Sequence, residues 1–321
     1  IALAPGAAAQ GDGAGFRLPD MGAPDQVAIS AHKEREIGRS MLLELRRKGK
    51  LAEDPEVSRY VRRLGRRLAS ASDEPGLTFT FFTIADPAIN AFAAPGGYIG
   101  VNAGLITATE SESELAAVIA HEIAHVTQRH IARRVEAVDR MAVPSIAALL
   151  AAVAIGSQDG QAGAAALAAA QAGALQYQID FTRANEKEAD RVGIQTLARS
   201  DYDPHSMASF FERLQTATRY YSRPPEYLST HPVTVNRIAD SRSRAESFPY
   251  RQYPDSRAYA LVRTKLRVQM AESPREALEA MTRALESGQY RDETAARYGV
   301  ALAQRAAGRL EAARAGLRAL F

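Results

Sequence analysis

The amino-acid sequence predicts an α+β fold, in which a mainly helical domain with a small β-sheet is followed by an all-α segment of helical repeats. Two short runs, LTFTFFTI (77–84) and GGYIGVN (96–102), are rich in β-branched and aromatic residues between turn residues, so each is predicted to be a strand. Helix signals dominate elsewhere, above all over 111–130, 183–198 and 257–321. The length of 321 residues is enough for about two domains.

The composition is that of a folded soluble protein, with 46% hydrophobic and 24% charged residues. Basic and acidic residues nearly balance, 40 against 37, so no nucleic acid or other polyanionic partner is indicated. The chain has no cysteine, which excludes a disulfide scaffold, a thiolate metal site and a cysteine nucleophile. It has only six histidines, and their placement is where chemistry is sought first.

The first 25 residues are predicted to be a signal-peptide remnant followed by a linker. The opening IALAPGAAAQ is apolar and small, and the three alanines before Gln10 resemble a signal-peptidase site. Residues 10–25 are rich in Gly, Pro and Asp, as linkers are. We therefore expect a secreted protein, and a flexible Ala/Gly arm is the alternative interpretation of residues 1–9.

The chain changes character near residue 249, and residues 249–321 are predicted to form a helical domain. Four helices are expected there, separated by polar breaks near 272–274, 287–291 and 307–308. One pattern recurs 35 residues further on, close to the tetratricopeptide period of 34, since Glu276, Ala277, Ala280 and Leu285 reappear as Glu311, Ala312, Ala315 and Leu320. The segment therefore resembles tetratricopeptide repeats, and it is expected to continue beyond residue 321.

A helix that begins after Ser111 carries the first candidate metal ligands. Ser111-Glu-Ser-Glu114 has the S-x-x-E form of a capping box and precedes the apolar run LAAVIAHEIAHV. On this helix His121 and His125 are four residues apart, so both imidazoles leave the same face and can bind one Zn²⁺ ion at about 2.0–2.1 Å. Glu122 is offset by one residue, where it can accept a proton from zinc-bound water, as in the H-E-x-x-H arrangement of metalloproteases.

A catalytic zinc site needs a third protein ligand, and the best candidate is Glu186. In the predicted helix over 183–198 one face holds Glu186, Ala189, Asp190, Gly193 and Leu197. An acid on a packed face is costly unless it is paired or binds a metal. Asp190 could ligate instead, although a role in orienting a ligating histidine is the preferred interpretation. Glu188 points away from this face and fits a solvated charge.

The motif H-E-x-x-H followed by E-x-x-A-D (186–190) resembles the HtpX and CAAX-prenyl-protease family of zinc metallopeptidases. Three further stretches are similar to that family, namely NAFAAPGGYIGVNAGLI (90–106), Asp54-Pro-Glu-Val with YVRRLGRRLA, and Ser229-Thr-His-Pro232 with Arg237. The last stretch is similar to a box of the family's periplasmic branch, which joins a protease domain to C-terminal tetratricopeptide repeats. The resemblance implies a zincin-like metallopeptidase domain over 26–248, with Glu186 as the third zinc ligand.

His231 is the fourth residue of the expected site. By the resemblance it can occupy the fourth position on the zinc and hold the enzyme latent. By its chemistry, an imidazole at that position displaces the nucleophilic water, whereas an imidazole beside it donates a hydrogen bond to the oxyanion, and both roles stay open. The remaining histidines are predicted to be structural: His130 faces away from His125, and His32 and His205 lie at ordinary helix starts.

The second predicted strand is expected to line the substrate cleft. In the zincin architecture that the family implies, an exposed strand edge lies above the catalytic helix, and an extended peptide pairs with it through backbone hydrogen bonds. Gly97, Tyr98 and Ile99 are the predicted substrate-binding residues. A strand buried inside the sheet is the alternative, and the sequence does not distinguish the two.

Residues 141–179 separate the two halves of the predicted site and carry a single charge, Asp159. Their length alone would permit two membrane spans, but Ala, Gly and Gln dominate, and transfer of alanine into lipid gains little. A packed helical hairpin is therefore predicted, which forms a lid over the cleft and makes peripheral contact with a membrane surface.

Together these features predict a periplasmic zinc endopeptidase. Glu122 is expected to activate zinc-bound water against a peptide carbonyl and then to protonate the leaving amine. Misfolded or stalled envelope proteins as the polypeptide substrates follow from the resemblance alone. The alternative is an assembly chaperone for outer-membrane proteins, which contacts the outer-membrane assembly machinery through its helical repeats while the protease site is silent behind His231.

Overall fold

The computed structural model describes residues 30–156, 160–217 and 225–320, and within them the chain forms thirteen helices and three strands. The predicted signal-peptide remnant and linker over 1–25 lie outside the described residues. The mainly helical α+β fold is confirmed. In chain order the elements are α1 (Ala31–Arg47), α2 (Pro55–Ser70), β1 (Thr80–Ile84), β2 (Ala91–Ala94), β3 (Tyr98–Asn102), α3 (Ala103–Ala108), α4 (Glu112–Thr127), α5 (His130–Gly156), α6 (Gly160–Arg199), α7 (Ser206–Ala217), α8 (Glu226–Thr230), α9 (Val235–Ala245), α10 (Arg257–Gln269), α11 (Pro274–Glu286), α12 (Glu293–Ala306) and α13 (Leu310–Arg318).

The sheet has the strand order β1-β3-β2, with β1 parallel and β2 antiparallel to the central β3. Both predicted strands are confirmed, since 77–84 contains β1 and 96–102 contains β3. β2 carries no strand signal in the sequence, because three of its four residues are alanine, which is depleted in strands. The sheet therefore has an additional strand, and this strand occupies an edge.

A tight turn of two glycines connects β2 to β3. Gly96 and Gly97 have positive φ angles of 76° and 80°, a conformation that glycine adopts without steric cost. A Cβ atom on Gly97 would lie 2.3 Å from the carbonyl oxygen of Thr78, so no larger residue fits there. The turn sets the register that pairs Ala93 with Ile99.

Helix α4 runs through the centre of the main core, with nearly every residue buried against α2, α6, α7 and the sheet. Its sequence is apolar on all sides, as expected for a helix with no solvent face. The predicted cap is present, because Ser111 Oγ accepts a hydrogen bond from the Glu114 N–H at 3.2 Å. The Glu114 carboxylate in turn accepts from the Glu110 N–H at 2.7 Å and from Arg213 Nε at 3.1 Å. These contacts place the H-E-x-x-H side chains on a rigid, buried element.

The predicted hairpin over 141–179 lies in α5 and α6, which pack against each other. Residues 157–159, between the two helices, are not among the described residues. Helix α6 is 40 residues long, and its C-terminal part contains the predicted helix over 183–198. Within the described residues, no helix combines the length and the apolar composition needed to cross a bilayer.

The four helices predicted after residue 249 are present as α10 to α13, with their breaks at the predicted positions. The first of them belongs to both parts of the molecule, because Tyr259, Val262 and Leu266 of α10 join the main core. A second, smaller core contains Val268, Ala277, Met281, Leu302 and Ala303. The C-terminal helices are thus anchored to the preceding domain through α10, and their assignment as tetratricopeptide repeats stays a prediction.

Candidate metal centre

Four side chains from three parts of the chain meet at one point. His121 and His125 come from α4, Glu186 comes from α6, and His231 is the residue that ends α8. One ligand atom from each of these side chains lies within 4.8 Å of the others. The structure therefore brings together the four residues that the sequence predicts as candidate metal ligands.

Five of the distances between ligand atoms in this cluster are close to those of a tetrahedral zinc site. His121 Nε2 lies 3.0 Å from His125 Nε2 and 3.3 Å from His231 Nδ1. The Glu186 carboxylate oxygens lie 3.4, 3.3 and 3.1 Å from the nearest nitrogen of each histidine in turn. Ligands at about 2.0–2.1 Å from a central Zn²⁺ ion are separated from each other by about 3.3–3.4 Å in a tetrahedron. The nitrogen and oxygen donors present are also those that zinc prefers.

The charge states of the ligands suit a metal. Burial lowers the pKa of His125 to about 3, so its imidazole is neutral and offers a lone pair. Burial acts on His121 as well, but hydrogen bonds to Asp190 and Glu186 outweigh it and raise the pKa of His121 to about 9. A metal ion therefore competes with a proton at His121, and its binding releases that proton. Although burial opposes ionisation of Glu186, the histidines around it lower its pKa and keep it a carboxylate.

Glu122 lies beside the ligands and is not one of them. Its side chain is 1% exposed, and its Oε1 has no hydrogen-bond partner among the described residues. The closest basic atom to Oε1 is His231 Nε2 at 3.5 Å. Burial raises the pKa of Glu122, while the nearby charges of His231 and His121 lower it by a smaller amount. A buried carboxyl with a raised pKa and a free oxygen is suited to general acid–base work.

A buried ion pair supports His121 from behind. His121 Nδ1 lies 3.0 Å from Asp190 Oδ1, so Asp190 contacts the ring on the side opposite the cluster. Arg237 donates to both Asp190 oxygens, at 2.8 and 2.7 Å, and lies 2.8 Å from a Glu186 oxygen. Burial would raise the pKa of Asp190, but the charge and hydrogen bonds of Arg237 lower it below its ordinary value. Arg237 therefore keeps Asp190 ionised and also forms an ion pair with Glu186.

The prediction that His130 faces away from His125 is wrong. The two Nδ1 atoms lie 2.8 Å apart, because Arg129 adopts a left-handed conformation with φ of 53° and separates α4 from α5. On an unbroken helix the spacing of five residues would turn the two rings apart. Burial lowers the pKa of His130 to about 4, so this ring is neutral.

Glu188, predicted to be a solvated charge, is partly buried and accepts hydrogen bonds from His130 and Arg133.

The predicted substrate residues Gly97, Tyr98 and Ile99 do not form a free edge, and that prediction is wrong. β3 is hydrogen-bonded on both sides, and Ile99 is fully buried, because β2 occupies the edge position. A cleft of about 240 Å³ beside the cluster is lined instead by Phe92 and Ala93 of β2. The sheet edge that faces the metal centre is therefore β2, the strand that the sequence pattern does not predict.

The cleft continues into a larger groove of about 850 Å³ between α6 and α9. Arg134, Thr182 and Glu186 line both cavities, so the metal centre lies between them. Leu175 and Ile179 give the larger groove an apolar wall. An extended ligand several residues long could therefore pass over the cluster from one cavity to the other.

Removal of metal is expected to lower the thermal stability of the protein. A ligand present at a thousand times its dissociation constant stabilises the native state by about 4 kcal/mol. For a chain of this size that corresponds to a fall in Tm of roughly 8 °C on removal. The measurement is a thermal melt with and without a chelator, followed by addition of excess Zn²⁺. An unchanged Tm would show that the cluster holds no metal with useful affinity.

A fold that buries an H-E-x-x-H helix against a sheet, and completes its donor set from a later helix, defines a metallopeptidase of the zinc class. Within that class the chain belongs to Peptidase family M48, whose family model matches residues 55–245. The matched range contains the sheet, Glu122 and all four residues of the cluster. The resemblance expected from the sequence motifs is thus confirmed.

Several characterised proteins are similar to this chain. It is 39% identical over 305 residues to the Beta-barrel assembly-enhancing protease of Escherichia coli (strain K12), covering 95% of this chain and 62% of that protein. It is 36% identical over 285 residues to the Beta-barrel assembly-enhancing protease of Yersinia pestis, covering 89% and 59%. A more distant relative is the Mitochondrial metalloendopeptidase OMA1 of Schizosaccharomyces pombe, at 34% over 179 residues, covering 56% and 50%. The chain thus spans about three-fifths of the length of the two bacterial relatives.

Proposed function

We propose that this chain is a zinc-dependent endopeptidase that cleaves misfolded or stalled envelope proteins in the periplasm. The observation that carries the proposal is the cluster of His121, His125, Glu186 and His231 with the buried Glu122 beside it. Membership of family M48 supports peptide hydrolysis. The relatives named as beta-barrel assembly-enhancing proteases support polypeptide substrates and a link to the outer-membrane assembly machinery.

Each side chain of the site has its own task in this reaction. His121, His125 and Glu186 would hold a zinc ion, which when bound would supply a Lewis acid for the scissile carbonyl and for the attacking water. Glu122 takes a proton from that water, which its raised pKa favours, and passes the proton to the leaving nitrogen. Asp190 holds the ring of His121 in one orientation.

The substrate is proposed to lie along β2. This strand pairs with β3 on one side, and no other strand of the described chain pairs with its opposite side. Phe92 and Ala93 line the same cleft as Glu122 and His125, so a peptide paired with β2 would pass the catalytic carboxyl. Pairing through backbone hydrogen bonds tolerates many sequences, which suits unfolded substrates.

His231 is proposed to hold the site in a latent state. Its Nδ1 lies among the other ligand atoms, 3.1 Å from Glu186 and 3.3 Å from His121 Nε2, which supports the role of a fourth ligand. Its Nε2 lies 3.5 Å from Glu122 Oε1, so the imidazole stands beside the carboxyl that is proposed as the general base. Displacement of His231 would therefore open the site. His231 also lines the substrate cleft, so the role of an oxyanion donor is separated from that of a latch by experiment.

The function is tested by the substitution His231→Ala in the full chain. We expect cleavage of casein to rise about tenfold, because a latch closed in nine molecules of ten reduces the active fraction by that factor. The measurement is the initial rate of casein hydrolysis in the zinc-loaded protein, with His32→Ala as the control, because His32 is exposed and pairs with Glu36 outside the cluster. A lower rate would identify His231 as an oxyanion donor instead.

A second candidate function is that of an assembly chaperone with a silent protease site. The observation that favours it is a groove of about 750 Å³ between α10, α11 and α12, lined by Tyr259, Met281 and Tyr290 among others. Such a groove suits the binding of a partner segment. Absence of cleavage in both the wild type and His231→Ala, with binding of unfolded outer-membrane proteins retained, would favour this function over proteolysis.

The hairpin formed by α5 and α6 is proposed to make peripheral contact with a membrane. Leu150, Leu167, Leu175 and Tyr177 are exposed on these two helices. Apolar side chains presented on a helical surface insert into the boundary between headgroups and acyl chains.

A further inference from the structure

His130 is a buried group of the site that peptide hydrolysis leaves without a task. It begins α5, directly after the left-handed residue Arg129. The imidazole is 4% exposed, and its ring lies edge-on to that of His125, with centroids 4.8 Å apart. Two ring nitrogens at 2.8 Å form a hydrogen bond only if one donates and the other accepts.

The position of the metal ligands allows one arrangement of protons. His125 Nε2 faces the cluster, so with a zinc ion bound it would offer its lone pair there and the ring would carry its proton on Nδ1. That Nδ1–H donates to His130 Nδ1, which leaves the proton of His130 on Nε2. His130 Nε2–H then donates to Glu188 Oε2 at 3.2 Å. In this arrangement each of the two hydrogen bonds joins one donor to one acceptor.

The far end of the chain is a charged pair. Arg133 Nη2 donates to Glu188 Oε2 at 2.5 Å and holds the carboxylate in place. The other zinc-binding imidazole has the same kind of support, since His121 contacts Asp190, which Arg237 holds. Each ligand histidine of α4 thus has a carboxylate and an arginine behind it, with one additional imidazole inserted on the His125 side.

We propose that His130 and Glu188 are positioning residues for His125, which fix its tautomer and ring orientation and thereby raise the zinc affinity of the site. The inference rests on the zinc site of the proposed function. Partners that hydrogen-bond a ligating histidine from behind typically contribute about 10–100-fold to metal affinity. His130 itself touches neither the metal nor the substrate, so its effect passes through His125.

The test is a matched pair of substitutions with the same shape, His130→Leu and His130→Asn. Asparagine places an amide oxygen near the position of Nδ1 and can accept from His125, whereas leucine cannot. We expect the zinc dissociation constant to rise about 10–100-fold in His130→Leu and to recover most of that loss in His130→Asn. The measurement is competition for Zn²⁺ between the purified full chain and a chromophoric chelator, with thermal melts of the metal-free proteins to check folding.

Two further variants make the outcome decisive. His205→Leu removes a histidine whose ring bonds Asp203 and which is not part of the cluster, and we expect wild-type affinity. Glu188→Gln removes the charge behind His130 at a partly exposed position, and we expect weaker zinc binding. If His130→Leu does not fold, the zinc affinity of Glu188→Gln is the test of the inference. Equal loss in His130→Leu and His130→Asn, or an unchanged dissociation constant in Glu188→Gln, overturns the inference. If the wild type itself binds no zinc, the proposed metal site fails first, and this inference with it.

Discussion

We expect Glu122→Gln to reduce peptide hydrolysis by about two to four orders of magnitude while the zinc content of the protein stays unchanged. The amide keeps the size of the carboxyl but cannot take a proton from the attacking water. The ligands are untouched, because Glu122 stands outside the cluster, with its Oε1 free of any hydrogen bond among the described residues. The measurement is the casein-cleavage rate together with the zinc-to-protein ratio.

Two comparisons make this result specific. Glu246→Gln removes an exposed acid at the end of α9, and it should leave the rate within error of the wild type. Glu122→Gln should also be measured in the His231→Ala background, so that a latent site does not hide the loss. Activity retained in that double variant would contradict a general-base role for Glu122.

The cluster residues of α4 and α6 could be predicted from the sequence because local helix geometry determines where their side chains lie. His121 and His125 lie one turn apart on a capped helix, and Glu186 lies on the packed face of another helix, so spacing alone places each side chain on the correct side. His231 is predicted from a sequence motif rather than from helix geometry. Arg237, which follows His231 in the same motif, forms ion pairs with the buried acids Asp190 and Glu186. No local sequence pattern predicts these pairs, because both acids lie on a different helix.

The wrong predictions share one physical origin. Each concerns a feature that depends on a single backbone conformation or on pairing between residues distant in the sequence. The position of His130 follows from one residue, Arg129, in a left-handed conformation that arginine rarely adopts. The edge of the sheet follows from β2, whose alanines carry no strand preference and which forms because the Gly96-Gly97 turn returns the chain against β3. Neither feature leaves a periodic signal in the sequence.

We expect Arg237→Met to lower the free energy of unfolding by about 3–5 kcal/mol. Arg237 is 3% exposed and supplies the positive charge for Asp190 and Glu186, which are themselves buried. Methionine would fill the space against Phe211, over whose ring the guanidinium lies at 4.8 Å, but would remove the guanidinium charge from both carboxylates and leave them only the imidazole of His121 as a shared partner. The measurement is urea denaturation of the metal-free protein, so that weakened zinc binding does not enter the result.

The control for this change is Arg242→Met, which removes an exposed arginine from the same helix α9, where it pairs with Glu212. A surface pair of this kind contributes only about 0–1 kcal/mol. The pH dependence separates the electrostatic loss from lost packing. Arg237 holds the pKa of Asp190 below its ordinary value of 3.8, so this stabilisation is present above that pH and is lost as the pH falls through the lower native value. The difference between wild type and Arg237→Met should therefore be largest near neutral pH and shrink in acid, whereas a difference that does not change with pH would mean that Arg237 acts through packing alone.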